Sequence, residues 1–561
     1  MHRHRFKVMT VSGAALALTA ASLAMSSAPA GATAPSAAGV AAKQTKSDPL
    51  IGGKFSDCFW NYGAVGEDPS FNIAYPDAGA KYWAAYIRRP VGSKLSLKGT
   101  YPHARYFSLI SYDRVGQPVD GIADYQLPPL SGSKNPYEVG AKRDTKSSKR
   151  TYKMTVVHEK NPGFSIKDPR NDQPQRSALY TVPDLATGTV PHATETGSDG
   201  VTYELDLMLY RVYIPDKGLD MTGGTGLPQP KLTLANGQVL KGQAACDAMD
   251  SQSKDLKATT GNPSRLPDAS ALTMNVKDYA ALRYPWQIAD SADVRPDLPG
   301  VQVQVFPAPG LPGAPLYQTK RTVADPTAFP ATYDPSASRS TPWRAQYTRK
   351  YLLQQWTGDD AVGAVTDPQR AGGGFFPNIH NNYIRAALHR SFGKVAVVRG
   401  KAFTAAPTRD DVKVTGAYKQ VRYASYCMNE SVYTTRVMDC VYDEEVPKNS
   451  KGNYLIVTSR KADRPDNAIQ TCGVGYIEWS KKGDGYKDHD FGWFQVRNML
   501  PNTTFNQAVQ NTTVPGDELA VMGKYLPNVE YMSTKKFESL NLKCADTKKD
   551  KKDQKKAHGL G

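Results

Sequence analysis

Eight residues near the start of a 561-residue chain carry side chains that could do chemistry: Tyr75, Asp77, Tyr82, Trp83, His103, Arg105, Asp113 and Asp120. A histidine titrates near neutral pH, and a carboxylate beside it fixes its tautomer. His103 with Asp113 is therefore an acid–base candidate. Aromatic rings with a few charged groups also suit sugar recognition. The flat apolar face of a sugar stacks on Tyr75, Tyr82 or Trp83, and its hydroxyls bond to Asp77, Arg105 and Asp120. The competing reading is structural: a paired arginine among core tyrosines.

Signatures of well-known chemistries are missing. The chain has no GxSxG elbow, no HExxH, no P-loop and no dinucleotide-binding glycine pattern. The GGTG near Gly223 and the AGGGF near Gly372 read as flexible turns. His158, His380, His389 and His489 are scattered; three of them could converge on zinc only through the fold, with Asp488 and Asp490 flanking His489. The DHDFGW stretch at Asp488 lacks the repeated carboxylate spacing of calcium loops and reads as a turn. No metal and no cofactor is expected, and no nucleic-acid motif accompanies the basic charge.

The elements that hold these residues repeat. ARYFSLISYD begins at Ala104 and VRYASYCMNE at Val421, placing Arg105 and Arg422 317 positions apart. Upstream, Tyr82, Ala85, Arg89, Gly92 and Gly99 match Tyr383, Ala386, Arg390, Gly393 and Gly400, each pair 301 apart. TYKMTVVHEKNPG from Thr151 has a counterpart from Asn453, and Arg211-x-x-x-Pro215 has one in Arg497-x-x-x-Pro501. The ordered set implies an internal duplication. Recurrence of Arg105 as Arg422 and of Arg211 as Arg497 points to scaffolding. Short alternating runs between turn signals, with no βαβ rhythm, predict strands. Neither face of ARYFSLISYD is polar throughout, as expected of a central strand covered on both sides. The fold class expected is all-β: two related jelly-roll-like β-sandwich halves, 47–248 and 374–544, joined by a Pro-rich, partly helical segment over 249–373. Two helices are expected there, from Asp268 and from Thr341.

At ARYFSLISYDRVGQPVD, YKMTVVHEKNPG and LMLYRVYIPD the chain resembles the DUF1214 family, often joined to a DUF1254 domain. The family's motif residues map to Arg105, Tyr106, Tyr112, Asp113, His158, Tyr210 and Pro215. The resemblance implies a jelly-roll-like sandwich and no particular reaction. The second copy departs from it, with Asn429 and Glu430 at the Tyr-Asp position.

Residues 1–34 read as a secretory signal peptide: Arg3, Arg5 and Lys7, an apolar run, then small residues. No later stretch is apolar enough to span a membrane. All six cysteines lie beyond this leader. In an exported chain an even count reads as disulfides, and spacing alone leaves 15 pairings. The pairings expected are Cys58–Cys246, Cys427–Cys440 and, as the remainder, Cys472–Cys544. The formal net charge is +17. Without the three leader cations it is +14; part of that sits in the Lys-rich tail, 545–561, expected to be disordered. Together these features predict a secreted, non-catalytic recognition protein for a glycan or cell-envelope polymer. The alternative is a secreted hydrolase or isomerase using His103 and Asp113 in the first half. The oligomeric state is left open.

Overall fold

The computed structural model describes residues 58–249, 343–346 and 376–544, with short interruptions that include 113–117, 164–173, 183–193, 410–419 and 432–434. The leader, the tail, the expected helix from Asp268 and most of that from Thr341 lie outside the described residues. No described helix is long and apolar enough to cross a membrane.

The N-terminal half contains eleven described strands: β1 (Tyr62–Val65), β2 (Ala80–Pro90), β3 (Lys94–Thr100), β4 (Ala104–Tyr112), β5 (Pro118–Ala123), β6 (Thr151–Lys160), β7 (Ala178–Val182), β8 (Thr194–Thr196), β9 (Thr202–Pro215), β10 (Gln229–Thr233) and β11 (Val239–Lys241). They form one sheet in the order β1-β2-β9-β4-β5, with β8 also on β9, and a second in the order β11-β10-β3-β6-β7. The C-terminal half contains nine: β12 (Trp343–Ala345), β13 (Asn381–His389), β14 (Val395–Lys401), β15 (Val421–Asn429), β16 (Val437–Tyr442), β17 (Asn453–Ser459), β18 (Gly475–Glu478), β19 (Phe491–Pro501) and β20 (Asn528–Met532). Its sheets run β12-β13-β19-β15-β16 and β18-β17-β14-β20.

The two orders superimpose. β2, β9, β4 and β5 correspond to β13, β19, β15 and β16, and even the parallel pair β6–β7 has its counterpart in β17–β18. Register agrees to the residue: Tyr82 faces Arg211 as Tyr383 faces Arg497, and Ser108 faces Arg211 as Ser425 faces Arg497. Because one residue of slip would turn every side chain to the opposite face, the recurring residues keep recurring directions. The matched glycines show why they recur. Gly99 and Gly400 each lie directly opposite a tyrosine, Tyr152 and Tyr454, whose ring covers the bare backbone; a Cβ would come within 2.4 Å and 2.7 Å of it.

Within each half, alternate residues fill the sandwich. Trp83, Phe107, Tyr210 and Val212 of the first sheet meet Leu97, Tyr152, Met154 and Leu232 of the second. Ala386, Phe494, Val496 and Tyr426 play the same part against Val398, Ile456 and Val529. The strand at Trp343–Ala345 departs from expectation: this stretch is an edge strand on β13 and not the start of a helix. Its Trp343 is fully buried against Phe494, so core packing outweighs the local helical pattern. The β12-β13-β19-β15-β16 sheet thus starts inside the segment read as linker. All three disulfides form as expected, Cys58–Cys246, Cys427–Cys440 and Cys472–Cys544.

Candidate functional site

The residues singled out for chemistry are held inside the molecule, between its halves. The segment leading into β2, Asn72 to Gly79, lies on the C-terminal half. Asn72 Nδ2 donates to Val437 O at 2.6 Å, and Tyr75 N to Thr435 O at 2.7 Å. The segment leading into β13 lies reciprocally on the N-terminal half, where Arg211 donates to Phe376 O at 2.8 Å and Tyr112 OH to Pro377 O at 2.8 Å. Tyr75 and Phe376, 301 apart, both adopt positive φ, 54° and 46°. The halves therefore exchange equivalent lead-in segments, the reciprocal contact of a two-fold dimer written into one chain.

The arginines complete this junction. Arg105 reaches Asp443 just after β16, at 2.6 Å and 2.7 Å, together with Glu444. Its twin Arg422 reaches Asp124, just after β5, at 3.2 Å. Burial pushes the Asp124 carboxyl up to about 6, against the pull of Arg422. Asp77 is fully buried; it accepts from Tyr423 at 2.8 Å and Ser425 at 2.6 Å, and Arg497 lies at 3.3 Å. The Tyr82 hydroxyl takes the Asp77 N–H at 3.0 Å and pairs with Tyr213 at 3.1 Å. His380, which sequence reasoning left among scattered histidines, sits 2.6 Å from the Tyr106 hydroxyl. Burial, with Arg176, Arg211 and Arg422 around it, holds its imidazole down at about 3, so it is neutral and shares a hydrogen bond with Tyr106.

Placed against the expected sugar site, this is a correction. The structure brings Tyr75, Asp77, Tyr82 and Arg105 to the junction, but all four are buried, with Tyr82 the most open at 9%. Trp83 is in the sandwich core, stacked near Tyr210. Asp120 is elsewhere, fully buried in a bidentate pair with Arg176 at 2.7 Å. None offers a ring or carboxylate to a sugar from solvent. Of the expected acid–base pair, only His103 is among the described residues. His103 precedes β4 and Tyr112 ends it, so nine residues of extended strand, roughly 30 Å, separate the two ends. Asp113 follows Tyr112 and lies outside the described residues. The other histidines have separate partners: His158 with Asp206 at 2.8 Å, His389 with Asp488 at 3.1 Å. The one described cluster with metal-ligand spacing, Asp77, Cys427 and Cys440, has both sulfurs in a disulfide and offers no thiolate.

The surface distinguishes the two halves. The outer face of the β17-β14-β20 sheet is covered: Val395, Val397, Val457 and Met532 pack under Ala468, Val474 and Phe537, an overlay that the Cys472–Cys544 bond ties down. The equivalent face of the β10-β3-β6 sheet carries lysines instead. Lys94, Lys98, Lys153 and Lys241 are exposed, and Lys231 is half-buried beside them. The register sets Lys98 directly opposite Lys153 and Lys231 directly opposite Lys241. Like charges so placed repel, by at most about 0.8 kcal/mol per pair at 5.5 Å in water. None of the five forms an ion pair among the described residues. Ser96 and Thr155 lie between them on the same face. The alternation KLSLKG and TYKMT contains this pattern, and it is the signal that could have found the face.

No family model matches the chain, and no curated protein does. Among solved structures it is similar to an uncharacterized protein from Burkholderia cenocepacia, at 9% identity, over 85% of this chain and 84% of that one, with a TM-score of 0.36. It is also similar to the VPA0106 protein from Vibrio parahaemolyticus, at 8% identity, over 82% of this chain and 90% of that one, with a TM-score of 0.30. Likenesses of this degree carry no inference about activity.

Proposed function

We propose that this is a secreted, non-catalytic recognition protein that binds an anionic cell-envelope polymer, such as an acidic glycan, through the lysine face of the β10-β3-β6 sheet. The observation behind this reading is the two cross-strand Lys–Lys pairs on a sheet face left open among the described residues, whose duplicate is covered by an apolar overlay. Repulsion within the face is relieved when phosphate or carboxylate groups of a polymer lie across it. Three disulfides favour an oxidising compartment, in keeping with the leader expected at 1–34. A flat hydroxyl- and lysine-bearing face suits an extended polymer better than a small substrate, which a concave pocket would hold. The duplication does not supply two equal binding faces, because among the described residues one face is covered by the overlay and the other is exposed. The hydrolase or isomerase alternative rests on His103 and Asp113, and Asp113 lies outside the described residues.

Pelleting with insoluble wall material across a salt series tests the reading. The wild type should bind at low salt and lose affinity steeply as salt rises. Lys98→Glu with Lys153→Glu should weaken binding by at least about tenfold. The same charge change at Lys481 and Lys482, exposed residues of the other half, should leave most of the binding. Equal losses in both double variants would refute the assignment to this face and leave only net charge.

A further inference from the structure

We infer that the N-terminal half contains a buried binding site for one small monoanion, a halide or the carboxylate of a short organic acid, formed by Arg211, Ser108 and Asn378. The inference rests on the duplicate, which already contains the carboxylate that such a site takes. In the C-terminal half, Arg497, Ser425 and Tyr423 converge on Asp77, with Ser425 Oγ at 2.6 Å, Tyr423 OH at 2.8 Å and Arg497 Nη1 at 3.3 Å. Their counterparts are Arg211, Ser108 and Tyr106, in the same register on the same strands. The counterpart of Asp77, 301 positions on, is Asn378. The donors have been kept and the carboxylate has been replaced by an amide.

The hydrogen bonds reflect that replacement. Arg211 is 1% exposed. It spends Nη2 on two neutral acceptors, the Tyr112 hydroxyl at 2.5 Å and Phe376 O at 2.8 Å. Its Nε and Nη1 find no acceptor, and no carboxylate lies within 4 Å of it among the described residues. Ser108 Oγ, fully buried directly opposite Arg211, also makes no hydrogen bond of ordinary geometry, although it lies close enough to Tyr106 to influence that hydroxyl. Asn378 Nδ2 is a further buried donor without an acceptor, while its Oδ1 is engaged by His380 N at 3.0 Å. Four buried N–H and O–H groups from three side chains thus lack the same thing, an acceptor, and the strongest of them is a cation. The rings of Tyr82 and Tyr112, 5.5 Å and 5.4 Å from the guanidinium carbon, stabilise Arg211 by cation–π contact but accept no hydrogen bond in its plane. A desolvated guanidinium takes a planar carboxylate or a single halide, and burial disfavours a doubly charged anion.

Thermal unfolding of the whole protein, in Hepes as the sole anion and then with chloride or formate added, tests this. The melting temperature of the wild type should rise and saturate with added anion, as binding to the folded state alone requires. Asn378→Asp provides its own carboxylate, as Asp77 does for the duplicate. It should melt higher than the wild type without added anion, and its response should shrink by at least about fivefold. Arg211→Gln should also lose the saturable response. A rise that is linear in salt and shared by all three proteins would overturn the site, as would Asn378→Asp melting lower than the wild type. If Arg211→Gln does not fold, the comparison of the wild type with Asn378→Asp still decides.

Discussion

His380 should make the folded protein sensitive to mild acid, and replacing it should remove that sensitivity. The imidazole is buried at the junction, hydrogen-bonded with Tyr106, and faces Arg176, Arg211 and Arg422. Burial and the three arginines disfavour the imidazolium, and its pKa is held at about 3 against an ordinary 6.5. The folded pKa is depressed below the unfolded one, so the unfolded chain takes up the proton first. Stability from this group is complete above about pH 6.5 and drains away as the pH falls towards 3. Linkage gives a loss of about 1.4 kcal/mol by pH 5.5 and about 3 kcal/mol by pH 4.5. Asp124 acts in the opposite direction: its carboxyl is raised to about 6, so the folded state binds its proton first and gains stability as the pH falls through that range. The wild-type curve alone therefore mixes the two. The difference between wild type and His380→Gln isolates the histidine, since the glutamine amide can hydrogen-bond Tyr106 as donor or acceptor at every pH. Urea unfolding at pH 7, 5.5 and 4.5 should show that difference moving in favour of the variant by about 3 kcal/mol. Histidine ring resonances offer a second reading, in which the His380 signal should not titrate between pH 8 and 5. Parallel stability curves, or a His380 resonance titrating near 6.5, would refute the argument that burial among arginines sets its charge.

Two further outcomes follow from the junction and the overlay. Arg105→Met leaves Asp443 buried without its cation and should destabilise by about 3–5 kcal/mol, while adding Asp443→Leu should recover much of that loss; urea midpoints of the two variants measure it, and equal midpoints would mean the pair is not the reason for the cost. Replacing Cys472 and Cys544 by serine opens a loop spanning 72 residues and should cost about 2–4 kcal/mol. The same change should increase binding of a hydrophobic dye as the overlay on Val395, Val397 and Val457 loosens, and unchanged dye binding would show that packing alone retains it.

Much of the fold could be read from the chain because duplication constrains it twice. A β-strand tolerates no slip, so Arg105 and Arg422, or Tyr82 and Tyr383, keep their spacing only if the strands around them keep their register. The cysteines were legible for a related reason: Cys427 and Cys440 lie directly across β15 and β16. The functional reading of the aromatic cluster failed on a different point. Alternation in ARYFSLISYD shows that both faces are covered, but not by what. One cover is the partner sheet; the other is the segment exchanged from the opposite half, a contact more than 260 residues distant in sequence. Tyr75, Asp77 and Arg105 therefore look like exposed recognition residues in sequence and are junction residues in space.

The same comparison explains where novelty can arise in such a chain. Positions at which the copies agree, Arg105 with Arg422 or Tyr106 with Tyr423, maintain the junction and tolerate little change. Positions at which they differ are free to acquire a role, because the other copy retains the structural duty. Lys98 and Lys153, opposite one another on β3 and β6, stand where β14 and β17 carry Arg399 and Leu455, and Ser96 and Thr155 stand where they carry Val397 and Val457. Asn378 stands where its counterpart is Asp77. In the first case one copy has an apolar surface under an overlay and the other an exposed charged one. In the second a permanent carboxylate became an amide, leaving a buried cation whose counter-charge can come from outside the chain. Both differences act on charge, and both leave every strand in place.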